Sequence, residues 1–251
     1  MRQPKFHSVI DHTFLKTSKE GVSRSEQESK VRQLVDEASK WSAYAVCVRP
    51  DWITFAKEML RERNNTNVKI ATVIGFPDGD AVPTNQKLEE LEEALALGAD
   101  EIDMVVRVND IRQKRWDAFE HDIHAVATKT GSAVLKLIFE SGELSAAEQE
   151  HAYARAKNAL VSTPSGLRVP RFYKTSTGFT PHGADEDSVA RMKKVCGDEI
   201  GIKVSGGVST AEAALRYWKA AGSPWDATTH AIDPMKFRIG SSALLSLEGL
   251  A

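Results

Sequence analysis

Residues 68–106 read VKIATVIGFPDGDAVPTNQKLEELEEALALGADEIDMVV, and their reading decides the fold. Val68 to Ile74 is a short apolar, β-rich run, stopped by Gly75-Phe76-Pro77. Thr84 to Leu97 has another period: Leu88, Leu91, Ala94 and Leu95 share one helical face, and Gly98 supplies a left-handed cap. Ile102 to Val106 is the next strand. Two strands joined through a helix form a βαβ unit with parallel strands.

Working outward, the alternation recurs. Before this stretch come Val9-Ile10, ending at Asp11; a helix from Ser25 to Trp41 with Val31, Leu34, Val35 and Ala38 as its stripe; a strand from Ala43 to Val48; and a helix from Asp51 to Arg63, with Pro50 at its first turn. After it come a helix from Trp116 to Thr130, a strand from Ala133 to Phe139, and a helix from Ser145 to Leu160. Ser145 and Glu148 form a capping box there. Phe172-Tyr173 leads into Lys174. Asp185 to Val195 is a helix, Ile200 to Val204 a strand, Thr210 to Ala221 a helix, Phe237 to Ile239 a strand and Ser242 to Leu247 a last helix. Eight strand–helix units in about 250 residues predict a (β/α)8 barrel, a TIM barrel with an eight-stranded parallel sheet, with residues 1–251 as a single domain. A doubly wound open sheet is the alternative. Val161 to Arg171 and Gly222 to Lys236 fit neither period and are expected to be surface insertions.

Composition excludes several classes of function. The chain has 41% hydrophobic and 27% charged residues, so it can bury a full core, and a disordered or collagen-like chain is ruled out. Its net charge of −2 carries no footprint for nucleic acid or an anionic membrane. The longest apolar run, Ala43 to Val48, is too short to span a bilayer, and no apolar signal core precedes Asp11-His12. Cys47 and Cys196 have no metal or redox spacing. A cytoplasmic location is expected, with Cys47 a small buried hydrophobe.

Barrel chemistry gathers at the C-terminal ends of strands. The ionisable residues there are Asp11, Asp103, Lys136, Glu140, Lys174 and Lys203. A charge inside a short β segment is costly unless paired, so this set predicts convergence on the barrel mouth. Lys174 and Lys203, on neighbouring strands, would stand side by side. Two adjacent ammonium groups disfavour double protonation, and a neutral amine attacks carbonyls to give a Schiff base. Flanking carboxylates would move protons. The same lysines could instead bind an anion as plain charges, and spacing alone leaves both readings open. Gly206-Gly207 and Gly240-Ser241-Ser242 open the last two helices, where barrels hold phosphate on backbone N–H groups.

These residues fall into a familiar pattern. Lys174-Thr175-Ser176-Thr177-Gly178 resembles the Schiff-base signature of the deoxyribose-phosphate aldolase family. The stretch Gly98 to Val105 resembles its strand-four motif and Lys203 to Val208 its strand-seven motif, while Val134 to Glu140 and Ile10-Asp11-His12-Thr13 also match. The resemblance spans essentially the whole chain. It implies reversible cleavage of 2-deoxy-D-ribose 5-phosphate to D-glyceraldehyde 3-phosphate and acetaldehyde, in deoxyribonucleotide catabolism, without metal or cofactor. It implies that Lys174 forms the imine, Lys203 lowers its pKa, and Asp103 shuttles protons through a water. Lys136, Asp11 and Thr13 would hold substrate hydroxyls and extend the relay. Cys47, Thr177, Gly178, Gly206, Gly207, Gly240, Ser241 and Ser242 would complete the substrate site. Cys47 would also be open to trapping by an acetaldehyde-derived enal, and a homodimer or homotetramer is implied. A transaldolase-type enzyme and a non-catalytic phosphosugar-binding barrel are the rival readings.

The chain departs from the family pattern where charge would meet phosphate. Ser209 stands where a basic residue is frequent, Phe179 where Lys occurs, and Ala243 where Ser is frequent. Weaker dependence on the phosphate is therefore expected, unless Lys236 or Arg238 compensates.

Overall fold

The computed structural model describes residues 5–226 and 228–246. Its eight strands are β1 (Ile10–Phe14), β2 (Ala45–Val48), β3 (Lys69–Ile74), β4 (Glu101–Val105), β5 (Val134–Ile138), β6 (Arg171–Lys174), β7 (Gly201–Ser205) and β8 (Phe237–Ser241). They close into a barrel in chain order, all parallel, with β8 paired to β1. Closure overturns the open-sheet alternative. The main helices are α1 (Arg24–Trp41), α2 (Ile53–Glu62), α3 (Thr84–Leu97), α4 (Val108–Arg112), α5 (Trp116–Lys129), α6 (Ala146–Val161), α7 (Glu186–Cys196) and α8 (Ala211–Ala220). No helix among the described residues is long and apolar enough to cross a membrane.

Local chemistry explains the boundaries. Ser23 with Glu26 and Ser145 with Glu148 form reciprocal capping boxes that start α1 and α6, and Gly98 ends α3 in the left-handed conformation. Several expected boundaries move. β1 continues past Asp11 to Phe14, because Asp11 turns into the barrel and finds cationic partners there. The short α4 has no counterpart in the sequence reading; its buried Asp110 is held by Arg107 and Arg115. Of the last helix expected from Ser242 to Leu247, the described residues form a 3-10 turn at Leu244–Ser246, and Leu247 lies outside them.

The two expected surface insertions lie mostly at the surface, with a few residues anchored to the barrel. Arg171 belongs to β6, and Leu167 packs against the core. In the segment before β8, Ile232 is buried, Trp225 pairs with it across a bridge, and Lys5 pairs with Ala231.

Pleating sends alternate strand residues to opposite faces. Outward residues such as Val46, Ile102, Leu135 and Val204 form the main core beneath the helices. The interior divides in two. Toward β2 and β3 it is apolar, built from Leu15, Ala45, Cys47, Ala71 and Val73. Around the other strands it is charged.

Candidate active site

Seven charged side chains from six strands meet inside the barrel, all buried: Asp11 on β1, Glu101 and Asp103 on β4, Lys136 on β5, Lys174 on β6, Lys203 on β7 and Arg238 on β8. The register sets Asp103 beside Lys136, Lys174 beside Lys203, and Lys203 beside Arg238. Lys174 Nζ and Lys203 Nζ each donate to Asp103 Oδ2 at 2.8 Å. Lys136 Nζ donates to Asp103 Oδ1 at 2.7 Å and lies 2.6 Å from Glu101 Oε2. Lys203 Nζ lies 2.5 Å from Asp11 Oδ2, and Arg238 donates to Asp11 Oδ1 at 2.7 Å and Glu101 Oε1 at 3.0 Å.

The three lysines separate electrostatically. Burial disfavours the Lys174 ammonium, the Lys203 charge adds to that, and together they outweigh Asp103, so its pKa is lowered. Burial also opposes the Lys203 ammonium, but Asp103 and Asp11 outweigh it and the pKa rises. Lys136 is raised in the same way by Asp103, Glu101 and Asp11. Burial alone would raise Asp103, yet the three lysines hold it well below the usual carboxylate range. Lys174 is thus the amine that gives up its proton most readily.

A cavity of about 690 Å³ opens above this layer. Thr13, Lys174, Thr177, Gly178, Gly206, Gly207, Gly240, Ser241 and Ser242 line it, as expected for substrate-facing positions. Asp11, Cys47, Asp103, Lys136 and Lys203 do not line it. They lie below or behind Lys174. The mouth expected for the whole charged set is therefore occupied by Lys174 alone, because its fellow charges are sequestered among each other. Asp11 and Lys136 sit in the buried ion-pair layer and do not line the cavity, where substrate hydroxyls were expected to meet them. Cys47 belongs to the apolar half, and burial pushes its thiol up, which makes it a weak nucleophile. Glu140 stands apart: it accepts from the Thr177 amide at 2.9 Å and the Thr180 hydroxyl at 2.8 Å, and so holds the loop after β6.

The glycine turns have the form of an anion cradle. Gly206 and Gly207 have φ of +88° and +83°, which favour glycine, and neither amide has a hydrogen-bond partner among the described residues. Gly240 faces Lys203, where a Cβ would meet Lys203 Cε at 3.1 Å. The Ser241 hydroxyl is already engaged, donating to Val208 O at 2.8 Å, while its carbonyl meets His12 Nδ1 at 3.2 Å. His12 Nε2 reaches Glu37 on α1 at 2.7 Å and ties this turn to the helix.

A DeoC/LacD family aldolase model matches residues 8–231. The chain belongs to this aldolase family. It is 37% identical over 210 residues to a deoxyribose-phosphate aldolase of Lactococcus lactis, covering 84% of this chain and 86% of that one. It is 36% identical over 238 residues to deoxyribose-phosphate aldolase 1 of Vibrio vulnificus, covering 95% and 93%. The tetrameric deoxyribose phosphate aldolase of Aeropyrum pernix superposes with a TM-score of 0.71 at 25% identity, covering 98% of this chain and 92% of that one.

In this aldolase, neither Lys236 nor Arg238 lines the cavity wall where Ser209 stands. Arg238 is sealed in the barrel against the Tyr44 ring, and Lys236 donates to Asp198 O at 2.5 Å ahead of β8, at the opposite end from the cavity. The cations that do line the cavity are Lys16 and Lys30, neither of which has an ion-pair or hydrogen-bond partner among the described residues. Sequence reasoning missed Glu101 and put Arg238 on the wrong surface. For Arg238 the signal was present, since it lies between Phe237 and Ile239 in the pattern that sends Lys136 and Lys203 inward; Glu101 follows Asp100 at the start of β4 and shows only the two-residue spacing to Asp103.

Proposed function

We propose that this aldolase reversibly cleaves 2-deoxy-D-ribose 5-phosphate into D-glyceraldehyde 3-phosphate and acetaldehyde through an imine on Lys174. One observation carries the reading: among the buried lysines only Lys174 both lines the cavity and has a lowered pKa. The neutral amine adds to C1 of the open-chain sugar and forms a carbinolamine. Loss of water, with a proton passed from the Lys203 ammonium across Asp103, gives the protonated imine. The C3 hydroxyl then gives its proton, relayed through water and Asp103, to the neutral Lys203 amine, the C2–C3 bond breaks, C3 leaves as the aldehyde of glyceraldehyde 3-phosphate, and the electron pair enters the enamine, which later takes a proton at C2 by the reverse of the same relay. Protonation at C2 and addition of water release acetaldehyde and restore Lys174. Asp103 orients the two ammonium groups and relays protons without keeping one, in accord with its depressed pKa.

The phosphate would meet the backbone amides of Gly206, Gly207 and Ser242. With Ser209 and Phe179 on the same wall, dependence on the phosphate is weaker than an added cation would make it. Ser209→Arg should therefore widen the preference for 2-deoxyribose 5-phosphate over 2-deoxyribose. Self-association into a dimer or tetramer belongs to the same reading, and sedimentation velocity measures it.

Borohydride reduction in the presence of acetaldehyde, followed by peptide mass spectrometry, tests the chemistry. An ethyl adduct on Lys174 is expected. An adduct on Lys203 instead reverses the two lysines' roles, and no adduct on either overturns the imine reading.

A further inference from the structure

Glu101 and Arg238 touch neither the cavity nor any reacting atom, yet they complete the buried layer. That layer holds three carboxylates, Asp11, Glu101 and Asp103, against four basic groups, Lys136, Lys174, Lys203 and Arg238. An uncompensated charge in a closed interior is strongly disfavoured, so one basic group must be neutral. Arginine does not release its proton in proteins. Lys136 Nζ lies near three carboxylates, at 2.6 Å (Glu101), 2.7 Å (Asp103) and 3.6 Å (Asp11). Lys203 Nζ has two, at 2.5 Å (Asp11) and 2.8 Å (Asp103). Lys174 Nζ has one, an Asp103 oxygen at 2.8 Å that it shares with Lys203.

We propose that Arg238, anchored by Glu101, is a positioning residue whose permanent charge gives the layer one cation too many and thereby strips Lys174 of its proton. The inference rests on Lys174 being the imine-forming amine. Its effect is purely electrostatic, since the guanidinium is sandwiched between Tyr44, 3.1 Å to the ring centroid, and Phe172, 5.4 Å. Asp103 (β4), Lys203 (β7) and Cys47 (β2) act on Lys174 directly, while Asp11 (β1), Glu101 (β4), Lys136 (β5) and Arg238 (β8) face it through the ion pairs they make with those groups and with one another.

The test is the pH profile of kcat/KM, with the rate of borohydride trapping by acetaldehyde at each pH. Arg238→Met balances the layer with Lys174 protonated, so the acid limb should move up by about one pH unit. Trapping at neutral pH then falls about tenfold and recovers in alkali. Glu101→Gln removes a negative charge and moves the limb down. The double variant Glu101→Gln/Arg238→Met restores the original count and brings the limb back, and Arg238→Lys leaves it in place. A merely structural role lowers activity equally at every pH, and unmoved limbs overturn the inference. Should Arg238→Met fail to fold, Glu101→Gln decides by the direction of its shift. If the unmutated protein is not trapped at all, the imine reading fails first; trapping with unmoved limbs sinks only the charge count.

Discussion

Gly183→Ala separates anion binding from lysine chemistry. A Cβ on Gly183 would lie 2.2 Å from the carbonyl oxygen of Gly206 and 2.7 Å from its carbonyl carbon. A carbon–oxygen contact relaxes at about 3.3 Å, so the Gly206-Gly207 turn must retreat by ~1.1 Å. The Ala184 amide, which donates to the same oxygen at 3.2 Å, moves with it. Overpacking of this kind costs about 1–3 kcal/mol of stability. A displacement near 1 Å in a substrate-positioning element costs up to about a hundredfold in rate. We expect kcat/KM for 2-deoxyribose 5-phosphate to fall between about 10- and 100-fold, chiefly through KM. Borohydride trapping of acetaldehyde on Lys174 uses none of this turn and should change little. Steady-state kinetics on 2-deoxyribose 5-phosphate and 2-deoxyribose, beside the trapping rate, read both effects. Trapping slowed as much as cleavage would refute the assignment of phosphate to this turn, and so would an undiminished preference for the phosphorylated sugar.

Three further outcomes follow from the buried groups. Asp11 and Asp103 are held below their ordinary value of 3.8, so their contribution to stability is complete above that pH and is lost as pH falls toward their folded values; urea denaturation should show nearly constant stability between pH 6 and pH 5 for these groups and a decline below about pH 4, whereas undiminished stability at pH 3 would contradict the network. Asp122→Ala strands the buried Lys87 ammonium, which lies 2.6 Å from Asp122 Oδ2, and should cost about 3–5 kcal/mol, most of it recovered in Lys87→Met/Asp122→Leu; a loss under 1 kcal/mol would mean that Lys87 finds water. Cys47 and Cys196 are buried with thiols pushed up, so iodoacetamide should label neither in the native protein and both in urea; fast native labelling of Cys47 would mean that the apolar half of the barrel opens.

Much of the fold was legible because periodicity is local. The stripe of Thr84 to Leu97 and the capping box at Ser145 and Glu148 need only neighbours in the chain, and both were found where expected. The end of β1 was placed at Asp11 rather than Phe14 because the apolar run stops there, and the polar Asp11-His12-Thr13 that continues the strand carries no hydrophobic signal. The turn of α4 was missed because five residues are too few to show a helical period. Among the site residues, Lys174, Lys203, Asp103 and Lys136 were recognisable as charges embedded in β segments. Arg238 carried the same mark but lay before the strand end where chemistry was sought, and Glu101 followed Asp100 ahead of the strand expected from Ile102 to Val106.

The sequence by itself determined which segments become strands, and through the two-residue pleat which side chains face inward. It also determined that several of those inward residues are ionisable. Only the closed barrel decided what those charges do. Asp11 and Arg238 stand near opposite ends of the chain and meet because β1 pairs with β8. The order of proton affinities among Lys136, Lys174 and Lys203 depends on how many carboxylates each touches. Coulomb energy in a buried layer is set by distance and by the exclusion of water, and neither quantity exists until the strands have closed.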